Sequence, residues 1–276
     1  MDTGVYSRGQ LIDRGLPRRD FERAVADGDL VRLRHGWYAT QGAMPEVVRA
    51  VKAGGVLSCA SALRLHGVWV LPTDRLHVRG NAATARAHPT WCRRYGRQSP
   101  EVAAVDDLPT ALLHAVRCLS REGFAVVCES VLNKGLMTPS ALETLFGGSP
   151  AAMRALTMCD GRAESGTETM VRLRLRTCGA TITPQAQIPE VGRVDLLIGA
   201  SMIIEVDGFA YHADPEAFEN DRLRDLHARA VGYDPIRLTY RQVVYQWDVV
   251  GPLLAELISR GDHLRPLGSR FRHSRV

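Results

Sequence analysis

Lysine is nearly missing from this chain of 276 residues, in which Lys52 and Lys134 are the only two. Arginine supplies almost all of the positive charge, a composition that a GC-rich genome also produces. Beyond Lys134, any chemistry that needs a cationic side chain must therefore use arginine or histidine. Arginine rarely gives up its proton, so it stabilises negative charge well and serves poorly as a base.

Two further absences bear on the class of protein. No apolar run is long enough to cross a membrane, and the N-terminus lacks the charged-then-apolar pattern of a signal peptide. The six cysteines are scattered, with no pair at the close spacing of a zinc ligand set and no sign of a disulfide scaffold. We therefore expect reduced thiols and a cytoplasmic protein that does not contact a membrane.

Positive charge is concentrated at the start of the chain. Residues 1–100 carry 16 Lys and Arg against 8 Asp and Glu, a net charge of +8, whereas residues 101–276 carry 19 against 22, a net charge of −3. A chain of this length is typical of two domains. The uneven charge predicts a module that faces nucleic acid, joined to a second part with another role.

The N-terminal segment has the order helix, turn, basic helix and basic hairpin. Ser7 is placed to cap the first helix, Gly28 to end the second, and Gly36 to turn the hairpin. This order is typical of a winged helix-turn-helix, which lays its second helix in the major groove and its wing along phosphates. The predicted DNA contacts are Arg18, Arg19, Arg23, Arg32 and Arg34. A protein-binding surface with the same solvated arginines is the alternative.

The stretch SCASALRLHGVWVLP, after a helix-turn-helix that ends in GWYA, resembles the AbiEi-type antitoxin domain of many bacterial proteins. The resemblance covers about residues 3–80 and depends on Gly36, Tyr38, Ser61-Ala62-Leu63 and His66-Gly67. It implies DNA binding, often in transcriptional autoregulation. We therefore expect a winged helix DNA-binding domain at 1–80, followed at 81–159 by a basic hairpin and a helical connector.

Carboxylates interrupt two short apolar strands in the segment from Gly192 to His212. Asp195, Glu205 and Asp207 stand where a core strand would carry more Val or Ile. A buried charge is costly unless it is paired or bound to a metal. Either these side chains face water, or they hold a cation.

The elements after Gly161 are predicted in the order α-β-β-β-α-β-α, which resembles the PD-(D/E)XK nuclease fold. The closer resemblance is to the small very-short-patch-repair-like endonuclease domain, over about residues 160–260. The matching pieces are Ser165-Gly166-Thr167-Glu168, Val194-Asp195, Glu205-Val206-Asp207-Gly208, Tyr211-His212, residues 221–225 and Gly232-Tyr233. The resemblance implies an α+β fold with a restriction-endonuclease-like αβββαβ core at 160–276.

The spacing suits a metal-dependent nuclease. Nine residues separate Asp195 from Glu205, enough for a strand to turn and return so that both side chains reach one spot. Glu205 and Asp207 are two apart and share a strand face. A divalent cation offsets the charge of a phosphodiester and activates water, and two or three carboxylates suffice for magnesium. The predicted ligands of Mg²⁺ or Mn²⁺ are Glu168, Asp195, Glu205 and the carbonyl of Val206.

The chain departs from the wider nuclease superfamily at the third position of its motif, where Asp207 replaces the usual lysine. His212 is a candidate proton shuttle, because imidazole titrates near neutral pH. The predicted catalytic residues are Glu168, Asp195, Glu205, Asp207 and His212. Plainer alternatives are a helix-surface role for Glu168, a turn-forming role for Asp207 and an incidental loop position for His212.

The sequence therefore predicts a metal-dependent DNA endonuclease that an N-terminal winged helix targets. A DNA-binding transcriptional regulator or antitoxin-like protein, with a catalytically silent nuclease-like domain, is the alternative. An RNA substrate is a third reading, although nothing in the chain resembles an RNA-reading module. A homodimer is compatible with either function.

Overall fold

Two units make up the part of the chain that the computed structural model describes, residues 2–207 and 215–267. The first unit comprises residues 1–124 and 138–155, and the second comprises residues 125–137 and 156–276. The predicted connector at 81–159 therefore contributes to both. Helices and sheets are mixed in the chain, as expected of an α+β protein.

The first unit begins with a three-stranded antiparallel sheet that two short helices interrupt. Its elements are β1 (Val5–Ser7), α1 (Arg8–Asp13), α2 (Arg18–Ala26), β2 (Leu30–Arg34) and β3 (Trp37–Thr40), with strand order β1-β3-β2. The hydroxyl of Ser7 caps α1 by accepting from the amide of Gln10, whose side chain accepts from the amide of Ser7. Gly36 turns the hairpin with a φ of 76°, which glycine adopts without strain. Phe21 of α2 packs edge-on against Tyr38 of β3.

Helices and one two-stranded sheet form the rest of the first unit. The elements are α3 (Pro45–Lys52), β4 (Val56–Leu57), α4 (Cys59–Leu65), β5 (Val78–Arg79), α5 (Ala82–Ala87), α6 (Leu108–Cys118), the start of α7 (Arg121–Asn133), α8 (Pro139–Phe146) and α9 (Pro150–Leu156). Helix α7 belongs to the second unit from residue 125 onward. Strands β4 and β5 pair antiparallel. The boundaries between the two units fall within α7, between α7 and α8, and at the end of α9.

Helix α5 occupies the position at which a basic hairpin was expected. The side chain of Asn81 accepts hydrogen bonds from the amides of Ala83 and Thr84, which caps the helix and favours it over a strand. Arg79, just before it, is buried, and its guanidinium forms a two-bond ion pair with Asp106 at 2.6 and 2.5 Å. Such pairing is what permits an arginine inside a protein.

The second unit contains a four-stranded mixed sheet. Its elements are α10 (Gly166–Leu175), β6 (Ile182–Ile188), β7 (Gly192–Ile198), β8 (Met202–Asp207), α11 (Pro215–Ala230), β9 (Asp234–Thr239), α12 (Tyr240–Tyr245) and α13 (Trp247–Ser259). Strands β6, β7 and β8 are antiparallel in sequence order, and β9 lies parallel to β8 after the α11 crossover. The single final helix expected from the sequence is divided into α12 and α13 at Gln246. Within the described ranges, no helix is long and apolar enough to cross a membrane.

Alternation along β7 determines which side chains reach the core. Val194, Leu196 and Ile198 are buried, whereas Asp195 and Leu197 between them are half-buried. Because successive side chains of a strand point to opposite faces, Asp195 lies on the face away from these three apolar residues. The apolar pattern of the strand therefore fixes the side of the sheet on which the carboxylate stands.

Candidate active site

Asp195 and Glu205 lie on neighbouring strands at the same level of the sheet. The antiparallel register pairs Leu196 of β7 with Ile204 of β8, so the next positions, Asp195 and Glu205, are side by side. Oδ2 of Asp195 accepts a hydrogen bond of 2.8 Å from the amide of Val206, the residue after Glu205. The hairpin thus brings the two predicted carboxylates together.

Glu168 reaches the same place from α10. The hydroxyl of Ser165 caps this helix by accepting from the amide of Glu168, and Glu168 itself is only 4% exposed. Its Oε2 accepts hydrogen bonds from the amide of Glu164 at 3.0 Å and from Nε2 of Gln185 at 2.8 Å. A role as an ordinary helix-surface residue does not fit this burial.

Gln185 connects Glu168 to Asp195. Its Nε2 lies 2.8 Å from Oε2 of Glu168 and 3.4 Å from Oδ1 of Asp195. The backbone of Gln185 has a φ of 51°, a left-handed conformation that is uncommon for a non-glycine residue, especially within a strand. Strained residues of this kind persist where the surrounding structure holds them, and they are frequent at functional sites.

Arginines from two elements contact the acidic residues of β8. Nη2 of Arg224, on α11, lies 2.5 Å from Oε1 of Glu205. Arg237, on β9, pairs beside Glu205 in the parallel register. Its guanidinium lies 3.5 Å from Asp207, 2.9 Å from Asp221 and 3.0 Å from Asp225. Asp221 and Asp225 therefore hold Arg237, which in turn faces Asp207.

Burial and mutual repulsion raise the pKa of three carboxyl groups here. The pKa of Glu205 is raised to about 7, first by burial and then by the charge of Asp195. Burial and Asp195 also raise the pKa of Glu168. Burial raises the pKa of Asp207, against the opposing effect of Arg237. Negative charge is thus in excess, which is a setting that a cation would stabilise.

The oxygen atoms of this cluster suit a hard divalent cation. Magnesium prefers carboxylate and carbonyl oxygens and keeps several waters, so it needs only one or two carboxylates from the protein. Asp195 and Glu205 offer that pair. Within the described ranges the acidic side chains do not bring three ligand atoms within 4.8 Å of one another, so any third carboxylate ligand would act through water or after a side-chain shift.

The structure places most of the predicted catalytic residues in one region. Glu168, Asp195 and Glu205 come together, and Asp207 stands two positions along β8 beside Arg237. His212 lies outside the described residues. Sequence reasoning missed Gln185 and Arg237, because a glutamine in a strand and one arginine among many carry no signal of their own.

The predicted DNA contacts differ in their surroundings. Arg19, Arg23 and Arg32 are exposed. The guanidinium of Arg34 is half-buried and donates to the carbonyls of Gly54 and Gly55 and to Glu101. Arg18 begins α2, and its side chain lies outside the described part of the chain.

A second group of potential ligands, in the first unit, was also missed. Cys59, His77, Cys92 and Cys118 bring their ligand atoms together. Cys92 and Cys118 are 26 residues apart, and His77 and Cys92 are 15 apart, so no close pair marks the group in the sequence. Four separate segments supply one potential ligand each, so the group leaves no close spacing in the sequence.

The two groups differ in how their residues are arranged along the chain. The carboxylates of β7 and β8 lie close together in the sequence, whereas the Cys and His residues come from four separate segments. No protein-family model, curated protein or solved structure matches this chain.

Proposed function

We propose that this protein is a metal-dependent DNA endonuclease. The observation that carries the proposal is the meeting of Asp195 and Glu205 on adjacent strands, with Glu168 bridged to Asp195 through Gln185. Carboxylates that repel one another around a partly exposed site are typical of a cation site. Hydrolysis of a phosphodiester is the reaction for which such a cation is most useful.

The order of elements supports a restriction-endonuclease-like core. The second unit contains a helix, three antiparallel strands, a crossover helix and a parallel fourth strand, in the order that the PD-(D/E)XK resemblance implies. In that resemblance the central hairpin carries the acidic motif, and here β7 and β8 carry Asp195 and Glu205. A fold alone does not determine an activity, so the proposed nuclease chemistry rests on the residues of the site.

Each residue of the cluster has a proposed task. Asp195 and Glu205, with the carbonyl of Val206, would hold magnesium, which when bound supplies charge neutralisation and a more acidic water. Gln185 fixes the carboxylates of Glu168 and Asp195 in position. Arg224 stabilises negative charge at Glu205.

The proton acceptor must be a group other than lysine, because Asp207 stands at the usual lysine position. Arg237 is close to Asp207 but serves poorly as a base. Glu168 is the better candidate, since burial and Asp195 raise its pKa and so make its carboxylate more basic. Glu168 would accept a proton from the attacking water or orient that water.

The N-terminal arginines would supply affinity for DNA. Arg19 and Arg23 are exposed on α2, the helix that corresponds to the recognition helix of a winged helix-turn-helix, and Arg32 is exposed on β2 of the wing. Contacts with phosphates would give binding that depends strongly on salt. Arg34 already has protein partners, so we assign it to the structure of the wing rather than to DNA.

A DNA-binding regulator with a silent nuclease-like domain is the second candidate. Two observations favour it: Arg224 forms an ion pair with Oε1 of Glu205, and the acidic side chains in the described ranges do not form a set of three close ligand atoms. In that case the ion pair would be structural, and the protein would bind DNA without cutting it.

A cleavage assay with supercoiled plasmid distinguishes the two functions. The full-length chain should nick or linearise the plasmid with magnesium or manganese and not with a chelator. Glu205→Gln should abolish cleavage and retain salt-sensitive DNA binding, whereas Glu256→Gln, at an exposed carboxylate on α13, should cut normally. Binding without cleavage in any divalent metal would support the regulator, and normal cleavage by Glu205→Gln would exclude this active site.

A further inference from the structure

Four potential metal ligands converge within the first unit. They are the sulfur atoms of Cys59, Cys92 and Cys118 and a ring nitrogen of His77, and all four atoms lie within 4.8 Å of one another. Cys59, His77 and Cys92 are buried, and Cys118 is half-buried. Three sulfurs and one imidazole are a donor set that soft and borderline metals prefer, unlike the oxygen set of the carboxylate cluster.

The distances match the edges of a tetrahedron around zinc. Sγ of Cys92 lies 3.5 Å from Sγ of Cys118, and Nδ1 of His77 lies 3.4 Å from each sulfur. Zinc bonds of about 2.3 Å to sulfur and about 2.0 Å to nitrogen give tetrahedral edges of about 3.8 and about 3.5 Å. A disulfide needs about 2.05 Å between its sulfurs, so Cys92 and Cys118 are not joined in one.

Separate elements supply the ligands, and backbone hydrogen bonds hold those elements in register. The amide of Ser58 donates to the carbonyl of His77 at 2.9 Å, and the amide of Cys92 donates to the carbonyl of Val78 at 2.8 Å. Cys59 begins α4 with a φ of 48°, a left-handed conformation that is strained for a residue with a side chain. A bond from its sulfur to a metal is an interaction that can offset this cost.

Outer partners orient the ligands and balance their charge. Nε2 of His77 lies 3.5 Å from the hydroxyl of Thr73, which leaves Nδ1 for the metal. Nη2 of Arg75 donates to Sγ of Cys118 at 2.7 Å. Three thiolates and a zinc ion carry a net charge of −1, which the guanidinium of Arg75 offsets. A surface cleft lined by Thr73, Arg75, His77 and Cys118 gives the ion a route to the site.

We propose that Cys59, His77, Cys92 and Cys118 bind one structural zinc ion. The set supplies four protein ligands and leaves no position for substrate, which is typical of structural zinc rather than catalytic zinc. The ion would tie Cys92, and with it the arginine-rich segment 75–97, to α4 and α6. This segment has little regular structure beyond β5 and α5, and a metal bond would account for its order. The proposal does not depend on nuclease activity.

Metal analysis of the full-length chain tests the proposal directly. The protein is produced with zinc in the medium and freed of loosely bound metal by gel filtration, and we expect about one zinc per chain by mass spectrometry of the elements. A mercurial thiol reagent should release that zinc into a zinc-sensitive dye as three thiols react. Zinc below about a tenth of an equivalent, with the three thiols free or with Cys92 and Cys118 in a disulfide, would overturn it.

A ligand variant and a matched control identify the site. The zinc content of Cys118→Ser should be no more than about a tenth of that of the wild type, because a serine hydroxyl is a poor zinc ligand at neutral pH. Cys178→Ser changes a half-buried cysteine of the second unit and should keep the full zinc content. Equal zinc in both variants would exclude this site.

Spectroscopy of the wild type identifies the atoms that bind the metal if Cys118→Ser does not fold. Cobalt(II) exchanged into the wild type should show strong visible bands of a tetrahedral site and a near-ultraviolet thiolate-to-cobalt band. X-ray absorption at the zinc edge should fit three sulfurs and one nitrogen at about 2.3 and about 2.0 Å. A spectrum without thiolate ligation would contradict the assignment.

Discussion

Nη2 of Arg224 lies 2.5 Å from Oε1 of Glu205 and also donates to the backbone carbonyl of Arg193. The guanidinium is thus fixed against a carboxyl whose pKa is raised to about 7 by burial and by Asp195. Arg224 and a divalent cation would stabilise the same ionised form of Glu205. The ion pair therefore affects the pH at which Glu205 is ionised and can bind the proposed cation.

Arg224→Gln should move the acid limb of the pH–activity profile to higher pH. Glu205 must be ionised to hold a cation, and Arg224 lowers its pKa, so the loss of the guanidinium makes ionisation harder. On the acid limb the rate falls about tenfold for each pH step of about 1, so the variant should be slower than the wild type at every acid pH. Plasmid nicking measured from acid to alkaline pH checks this, with Arg229→Gln, at an exposed position on the same helix, as the control. An unchanged acid limb would show that Glu205 does not govern the profile.

Glu205→Gln should stabilise the protein at alkaline pH in the absence of divalent metal. A carboxyl whose pKa is raised on folding binds more protons in the folded state than in the unfolded state. Its ionisation therefore destabilises the fold, and this cost is absent below the unfolded pKa and grows as the pH rises toward about 7. Replacing it with a neutral amide removes that cost. Thermal unfolding should show the variant more stable above pH 7, by up to about 3 kcal/mol, with a difference that shrinks toward about pH 4.5.

Magnesium provides the complementary measurement on the same pair of proteins. It should raise the melting temperature of the wild type at alkaline pH, because a ligand that binds only the folded state stabilises it. Glu205→Gln should respond at least several-fold less. If magnesium stabilises both proteins equally, the ion binds elsewhere and the carboxylate cluster is not its site.

Gln185 allows backbone strain to be separated from side-chain function. Gln185→Gly and Gln185→Ala both remove the bridge between Glu168 and Asp195 and should lower cleavage by a similar factor, about tenfold or more. Glycine also relieves the left-handed backbone at φ 51°, so the glycine variant should be more stable than the alanine variant by about 1 kcal/mol. Plasmid cleavage and thermal unfolding of both variants give the two readouts. Equal stability of the two would mean that the backbone relaxes when the bridge is lost.

Local signals predicted the local structure well. The cap at Ser7, the turn at Gly36 and the β7–β8 hairpin with its carboxylates all follow from patterns within about ten residues. Alternation of apolar residues in β7 also places Asp195 on one face of the sheet. These features depend on neighbours in sequence, which is why one sequence suffices for them.

Contacts between segments that are distant in the sequence could not be predicted from it. Arg34 and Arg79 look like other arginines in the sequence, but one is bonded to Glu101 and the other is buried against Asp106. The Cys and His ligands come from separate elements, so their spacing carries no signal. Pairing with residues distant in the sequence decides which arginines are buried. The amino-acid composition does not show which arginines these are.

Salt dependence of DNA binding should separate contact arginines from structural ones. Arg19→Gln and Arg23→Gln remove exposed charges on α2, so each should weaken binding and reduce the slope of log affinity against log salt by about 1. Neither should change the melting temperature appreciably, because substitutions at such surface positions alter stability little. Binding to a short duplex over a series of salt concentrations provides the slope.

Arg34→Gln should lower the stability of the protein and leave the salt slope of DNA binding unchanged. Its guanidinium donates to the carbonyls of Gly54 and Gly55 and to Glu101, so its loss leaves three acceptors without their donor and should cost about 1–3 kcal/mol of stability. At temperatures below the melting temperature of the variant, the salt slope should match that of the wild type, since the guanidinium of Arg34 is already engaged by protein partners. A reduced slope without loss of stability would place Arg34 on the DNA after all. An unchanged slope for the double variant Arg19→Gln/Arg23→Gln would show that α2 is not part of the proposed DNA interface.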